Sequence, residues 1–377
     1  MMTKGLSLNW QEVCKRLELD PERIYPALLQ DLAQLIGSQP NFELAGLPGG
    51  ASNRGYLRLI LNSRAGAFPD SLMIMILRDL DPKQGIEEVV EEGFEITELP
   101  FLNVLKHFRK CGVSVPELYH WNPAAGLIYL EDLGDTLLRD ALNSADQAQR
   151  FNLLERAVDE LIRLQLGAGS CADPNFLGFR MRFNPKLLRW ELDHFREWAL
   201  DKRLGPALQD SDSRMLDDCF KKIVTDLLSA PYILNHRDYH IDNLMIKHGR
   251  IRVIDFQDAL MAPYPYDLAS LLYDRDTSLI LGDALIEHII VYHFQRLSEQ
   301  GYQPLDFKGF RRVFDLCVLH RAFKIVGRFY FLAMVKHKPE YLKFQPAEYI
   351  VLGTYLDRFP EFAPVKHMLQ THLPELK

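Results

Sequence analysis

The segment His236-Arg237-Asp238-Tyr239-His240-Ile241-Asp242-Asn243, with Asp255-Phe256-Gln257-Asp258 shortly after it, concentrates carboxylate, amide and imidazole groups. Asp238 and Asn243 lie five residues apart after the apolar run Tyr232–Leu234, which places them on a loop leaving a strand. The short runs 244–246 and 251–254 predict a hairpin, and an antiparallel return brings Asp255 back beside Asn243. Two hard oxygen donors from adjacent strand ends suit Mg²⁺, which keeps its remaining positions for water and phosphate oxygens. Mn²⁺ meets the same donors. Asp238 is then free to orient or deprotonate a hydroxyl, and that division of labour is the one phosphoryl transfer requires.

Two other readings use the same residues. Polar residues also cap helices and close hairpins, although four role-bearing residues at fixed offsets make that a poor account of the whole set. The alternation His236, Asp238, His240, Asp242 could instead ligate zinc or iron from one strand face, as in a metal-dependent hydrolase. That reading leaves Asn243, Asp255 and an upstream glycine-rich segment without a role. In either case His236 is expected to fix the loop by hydrogen bonding.

The elements that must position this segment fall into two parts. Residues 1–40 read as two short helices, with faces Trp10, Val13, Cys14, Leu17 and Leu28, Leu32, Leu35, Ile36. Asp20 is a natural N-cap and Pro21 a first helical residue. Residues 41–131 turn to strands at Phe42–Leu47, Tyr56–Leu61, Leu72–Leu77, Leu118–Trp121 and Gly126–Leu130, with a helix near Phe101–Arg109. From 132 to 377 the periodicity is mostly helical, interrupted by the short strands around the loop. The expected fold class is α+β: a bilobal chain with a small β-rich N-lobe and a larger helical C-lobe.

Composition narrows the classes further. The chain has 377 residues, with 44 Lys and Arg against 51 Asp and Glu, a net charge of −7. Nucleic-acid binders are usually basic, so nucleic acid is not an expected partner. A hydrophobic fraction of 47% with 25% charged residues is that of a globular chain with a sizeable core. No apolar stretch approaches the ~20 residues of a membrane helix, and the first ten residues lack a signal-peptide core. Five scattered cysteines without a CxxC pair read as free thiols, and the expected location is cytoplasmic.

The pattern H-R-D-x₄-N followed by D-F-Q matches the catalytic-loop signature of kinases, with Gln257 where that signature has glycine. Together with Tyr266-Asp267-Leu268-Ala269-Ser270-Leu271-Leu272, the segment resembles the aminoglycoside phosphotransferase and choline kinase family of small-molecule kinases over about Phe42 to Phe329. Leu130–Asp135, Asp255–Ala259 and His320-Arg321-x₂-Lys324-x₂-Gly327-x-Phe329 look closest to the kinases of the anomeric hydroxyl of N-acetylmuramate and N-acetylglucosamine in cell-wall recycling. The resemblance implies a protein-kinase-like fold, ATP as co-substrate, Asp238 as base, and Asn243 and Asp255 as Mg²⁺ ligands. It also implies that Asp267 braces the catalytic loop, a role compatible with its being an ordinary helix N-terminal carboxylate.

For the nucleotide, Gly50, Ala51, Ser52, Asn53 and Arg54 form a candidate phosphate lid, since small residues let backbone N–H groups approach phosphate. A plain hairpin turn would read the same way. Backbone groups of Glu131 and Leu133 are candidates for the base edge. The strand Leu72–Leu77 lacks the family's phosphate-anchoring lysine; Arg78 follows it, with Glu98 or Glu95 as its partner, and Arg54 and Arg58 are the alternative cations. Arg78 also reads as a solvated strand end. His240, Arg275, Arg321 and Lys324 are the candidate acceptor contacts, and Arg321 and Lys324 share a helix face. Choline, homoserine or an aminoglycoside is an alternative acceptor. The missing lysine and glycine also allow a nucleotide-binding regulatory module.

Overall fold

The computed structural model describes residues 10–36, 42–46, 54–61, 69–81, 83, 90–91, 93–205 and 208–376. Of the candidate phosphate lid, Gly50, Ala51, Ser52 and Asn53 lie outside the described residues. The chain forms two compact units, one of residues 1–82 with 115–135 and one of 83–114 with 136–377. Among the described residues, no helix is long and apolar enough to cross a membrane. All five cysteines are free.

The first unit is built on one antiparallel sheet in the order β1-β2-β3-β5-β4. Its strands are β1 (Phe42–Gly46), β2 (Arg54–Leu61), β3 (Ser71–Leu77), β4 (Leu118–Asn122) and β5 (Leu127–Glu131). Register follows the alternation of apolar residues: Leu57 faces Ile74 and Leu59 faces Leu72, all four buried. Against that face pack α1 (Trp10–Leu17) and α2 (Pro21–Ile36), through Val13, Ile24, Leu28 and Leu32. Asp20 Oδ1 accepts from Glu22 N at 3.0 Å, as its capping position predicts. The helices expected to form an extension at 1–40 therefore complete the core of the sheet.

The division expected at 131 also falls differently. Helix α3 (Pro100–Lys110) groups with the helical unit, because Phe101 and Phe108 pack on Phe256 at ring distances of 5.0 and 5.9 Å. In this second unit the 28-residue helix Phe307–Met334 is the central element, with buried residues on all sides. Helix Pro185–Phe195 crosses it closely at Gly327, where a Cβ would lie 2.6 Å from the His194 carbonyl oxygen. Two short antiparallel pairs complete the unit: β6 (Tyr232–Asn235) with β9 (Leu260–Pro263), and β7 (Leu244–Lys247) with β8 (Arg250–Val253).

Candidate active site

β6 ends at Asn235, which is fully buried and accepts from the backbone N–H of Asp267 at 3.2 Å. Asp267 opens the helix Tyr266–Tyr273 and turns its carboxylate back onto the loop, accepting from His236 N and, at 2.9 Å, from Arg237 N. Burial pushes the Asp267 carboxyl up to about 6, against the opposing pull of His236 and these N–H groups. Asp267 thus holds two consecutive backbone N–H groups of the loop. His236 is buried too; its Nδ1 accepts from Asp238 N at 3.3 Å and its Nε2 lies 2.9 Å from the Ile254 carbonyl. With Nδ1 accepting, the ring donates from Nε2 to the Ile254 carbonyl.

Arg237 adopts φ +82°, a left-handed conformation costly for an arginine, and so needs its neighbours to hold it. Its guanidinium donates to Glu191 at 2.9 Å and its carbonyl accepts from Arg321 at 2.8 Å. The next residue, Asp238, keeps 40% of its side chain exposed, with Arg321 Nη2 at 3.5 Å and Lys324 Nζ at 3.8 Å. Burial would raise its pKa; Lys324, Arg321, Arg237 and His240 outweigh that and hold the carboxyl well below its ordinary range. Asp238 is therefore an ionised carboxylate set among cations.

Asn243 Nδ2 donates to the Asp238 carbonyl at 2.9 Å, which leaves its Oδ1 as the atom that can ligate. The Ile254 N–H bonds the Asn243 carbonyl at 3.0 Å, so the loop and the end of β8 are stitched together one residue before Asp255. Asp255 has φ +60°, and its Oδ1 accepts from Gln257 at 3.0 Å. Gln257 also donates to Asp258 at 2.9 Å, a use for the side chain that stands where the kinase signature has glycine. An amide oxygen and a carboxylate are hard donors, and the pair fits Mg²⁺ or Mn²⁺.

The zinc or iron alternative does not fit. His236 spends both ring nitrogens on the backbone, and Asp242 is engaged by Arg139 at 2.9 Å and by Arg275. Among the described residues, no cluster of three or more His, Cys, Asp or Glu gathers that could hold a metal ion.

The four candidate acceptor residues separate into two kinds. Arg321 is 2% exposed and pairs with Asp274 at 2.7 Å, while Arg275 pairs with Asp242 and donates its N–H to Glu348. Both arginines hold the loop, Arg321 through the Arg237 carbonyl and Arg275 through Asp242. Lys324 and His240 lie against the loop's own residues, with Lys324 Nζ 3.1 Å from Glu191 and 3.8 Å from Asp238, and the buried His240 Nε2 3.4 Å from Asn243 Nδ2. Burial lowers the pKa of His240.

In the sheet unit, Arg58 is clamped to Asp132 at 2.8 Å and Asp135 at 2.7 Å, tying β2 to the segment after β5. Glu131 accepts from Glu117 N at 3.2 Å, and Leu133 is buried. Arg54 opens β2 opposite Leu77, and Arg78 pairs with Glu18 at 2.9 Å. In the helical unit, Glu98 precedes α3 and binds Lys106.

Sequence reasoning passed over Glu191, Asp274 and Glu348, all buried. Glu191 had a signal: it sits among Leu188, Leu192 and Phe195 on the apolar face of its helix, where an unpaired carboxylate would be costly.

Comparison with known proteins accords with this geometry. Over 273 residues the chain is 30% identical to an N-acetylmuramate/N-acetylglucosamine kinase of Neisseria meningitidis serogroup B, covering 72% of this chain and 78% of that one. It is 28% identical over 277 residues to a Pseudomonas aeruginosa protein of the same name, covering 73% and 78%. The fold is similar to that of the ADP-bound aminoglycoside phosphotransferase APH(2'')-Ib, with a TM-score of 0.56 at 13% identity over 89% of this chain and 99% of that one. Residues 43–306 match the phosphotransferase enzyme family called APH, and the chain is a member of that family.

Proposed function

We propose that the chain transfers the γ-phosphoryl group of ATP to the anomeric hydroxyl of an N-acetylated amino sugar, N-acetylmuramate or N-acetylglucosamine. The observation that carries this reading is the 236–243 loop, where an ionised Asp238 sits on a backbone braced by a buried Asp267. The name shared by the Neisseria and Pseudomonas relatives supports the acceptor class.

In this mechanism the acceptor oxygen attacks the γ-phosphorus, the bond to the bridging oxygen breaks, and ADP leaves. Asp238 accepts a hydrogen bond from the attacking hydroxyl and then its proton. A carboxylate held so far below its ordinary pKa is a weak base, so it receives the proton late, once the new P–O bond has made the hydroxyl acidic. Its larger contribution is to orient the nucleophile. Asn243 Oδ1 and the Asp255 carboxylate would hold Mg²⁺, which when bound neutralises charge on the phosphate oxygens. Arg321 and Arg275 position the loop through the Arg237 carbonyl and Asp242, and Lys324 and His240 face the acceptor. Nucleotide contacts are proposed for Arg54, Glu131 and Leu133, with the segment 50–53.

The test is coupled ADP release with Mg-ATP against N-acetylmuramate, N-acetylglucosamine, glucosamine, choline, homoserine and kanamycin. Turnover with the N-acetyl sugars, lowered about a thousandfold in Asp238→Ala with the fold retained, is the expected result. Turnover with choline or kanamycin alone would replace the acceptor class. Nucleotide binding without turnover of any acceptor would favour a regulatory module.

A further inference from the structure

The helix Phe307–Met334 carries three cations, Arg321, Lys324 and Arg328, spaced three and four residues apart and therefore aligned along one face. Two of them are matched by carboxylates: Arg321 by Asp274 at 2.7 Å and Lys324 by Glu191 at 3.1 Å. The same two reach Asp238 at 3.5 and 3.8 Å. Arg328 stands one turn beyond Lys324, ~6 Å further along the axis. It is exposed, and among the described residues no carboxylate pairs with it. Burial of its stem lowers its pKa while Asp238 and Glu191 act in the opposite sense, so it shares their electrostatic neighbourhood.

Its surroundings are fixed and aromatic. Gly327 packs directly on the backbone of His194 and Phe195, which anchors the root of the side chain. The guanidinium lies over the Phe331 ring at 4.9 Å, Phe331 is 5.3 Å from the His194 ring, and His194 is 5.4 Å from the indole of Trp190. Trp190 is 52% exposed, much of a large apolar ring left in solvent. His194 is kept neutral, its pKa pushed down to about 4 by burial and then by Arg328, so the cations at this patch are Arg328 and Lys336, the latter 6.0 Å from the Phe331 ring.

We infer that Arg328 binds the carboxylate of an acidic amino sugar, and that the site therefore favours N-acetylmuramate over N-acetylglucosamine. The two sugars differ by a lactyl ether on O3, two ring carbons from the anomeric hydroxyl, and that ether carries the only charge either sugar has. A guanidinium one helical turn from the cations around Asp238 is placed to take that charge. This inference rests on the amino-sugar reading above.

The experiment compares kcat/KM for the two sugars with Mg-ATP in the wild type, Arg328→Gln and Arg328→Lys, with melting temperatures to verify folding. The expected result is that the ratio of N-acetylmuramate to N-acetylglucosamine falls 10- to 100-fold in Arg328→Gln, through KM, and partly recovers in Arg328→Lys. The methyl ester of N-acetylmuramate should lose the same factor on the wild-type enzyme and nothing further on Arg328→Gln. A ratio unchanged by Arg328→Gln, with both sugars turned over, overturns the inference while leaving the amino-sugar reading intact. Turnover of neither sugar by the wild type overturns that reading and the inference with it.

Discussion

Glu191 has none of its side chain exposed and holds the guanidinium of Arg237 at 2.9 Å, fixing the residue that precedes Asp238. Burial alone would raise its pKa; Lys324, Arg237 and His320 reverse that and hold it at about 2. Replacing it by Gln keeps the volume and removes the charge, taking the nearest carboxylate from both Arg237 and Lys324. The expected cost is about 3–5 kcal/mol of stability, seen as a clear fall in melting temperature. Glu191→Gln should also lower kcat, because Arg237 sits at φ +82° and Lys324 loses its anchor. A melting temperature equal to the wild type's would contradict this role.

Asp267 carries a pH signature of its own. Its pKa of about 6 in the folded chain lies above the ~3.9 of an unfolded aspartate. Between those values the folded state binds the extra proton, so this group's contribution to stability is fully present below ~4 and is lost as pH rises through about 6. The difference of roughly two pKa units corresponds to about 3 kcal/mol. Urea unfolding of wild type and Asp267→Asn at pH 4 and pH 7 should therefore show the stability gap between them shifting by that order in favour of the variant at pH 7. A gap that stays constant across this range would show that Asp267 is not buried as a titrating carboxyl.

Much of this was legible in the sequence, and the reasons are local. The H-R-D-x₄-N loop and the returning Asp255 could be paired because a two-strand hairpin fixes where its ends meet, as the bond from Ile254 N to Asn243 O bears out. The five strands followed from short apolar runs, too short for helices and bounded by turn residues, of which Leu72–Leu77 is continuous. The partners of the loop were harder to read. Glu191 and Arg321 approach it from helices 46 and 84 residues away in sequence, and no periodicity encodes which carboxylate meets which guanidinium. The same holds for α1 and α2: their apolar faces were visible, but that the faces cover the sheet is a matter of tertiary packing. The placement of α3 likewise turned on Phe256, a residue in a loop, where pattern carries no signal.

Metal dependence gives a separate check on Asn243 and Asp255. If these residues supply the ion's protein ligands, the Mg²⁺ concentration for half-maximal ADP release should rise by about 10- to 100-fold in Asn243→Ala and in Asp255→Asn. Excess chelator should abolish turnover in all forms, and added Mg²⁺ should restore the wild type first. A variant whose Mg²⁺ titration superimposes on the wild type's would remove that residue from the ligand set.

Gly327 tests whether the packing of two helices is what keeps Lys324 and Arg328 in place. A Cβ there would lie 2.6 Å from the His194 carbonyl oxygen and 2.7 Å from Phe195 Cα, both backbone atoms that no rotamer change can move. Gly327→Ala must therefore push the helix Pro185–Phe195 away from the helix Phe307–Met334, and overpacking of this kind costs about 1–3 kcal/mol. That helix also bears Glu191, the 3.1 Å partner of Lys324, so the displacement reaches the catalytic loop. The expected outcome is a melting temperature several degrees lower together with a reduced kcat. An exposed alanine substitution on the same helix, Lys308→Ala, serves as the control for both readouts. If Gly327→Ala melts and turns over like that control, the close crossing is not what holds the cations beside Asp238.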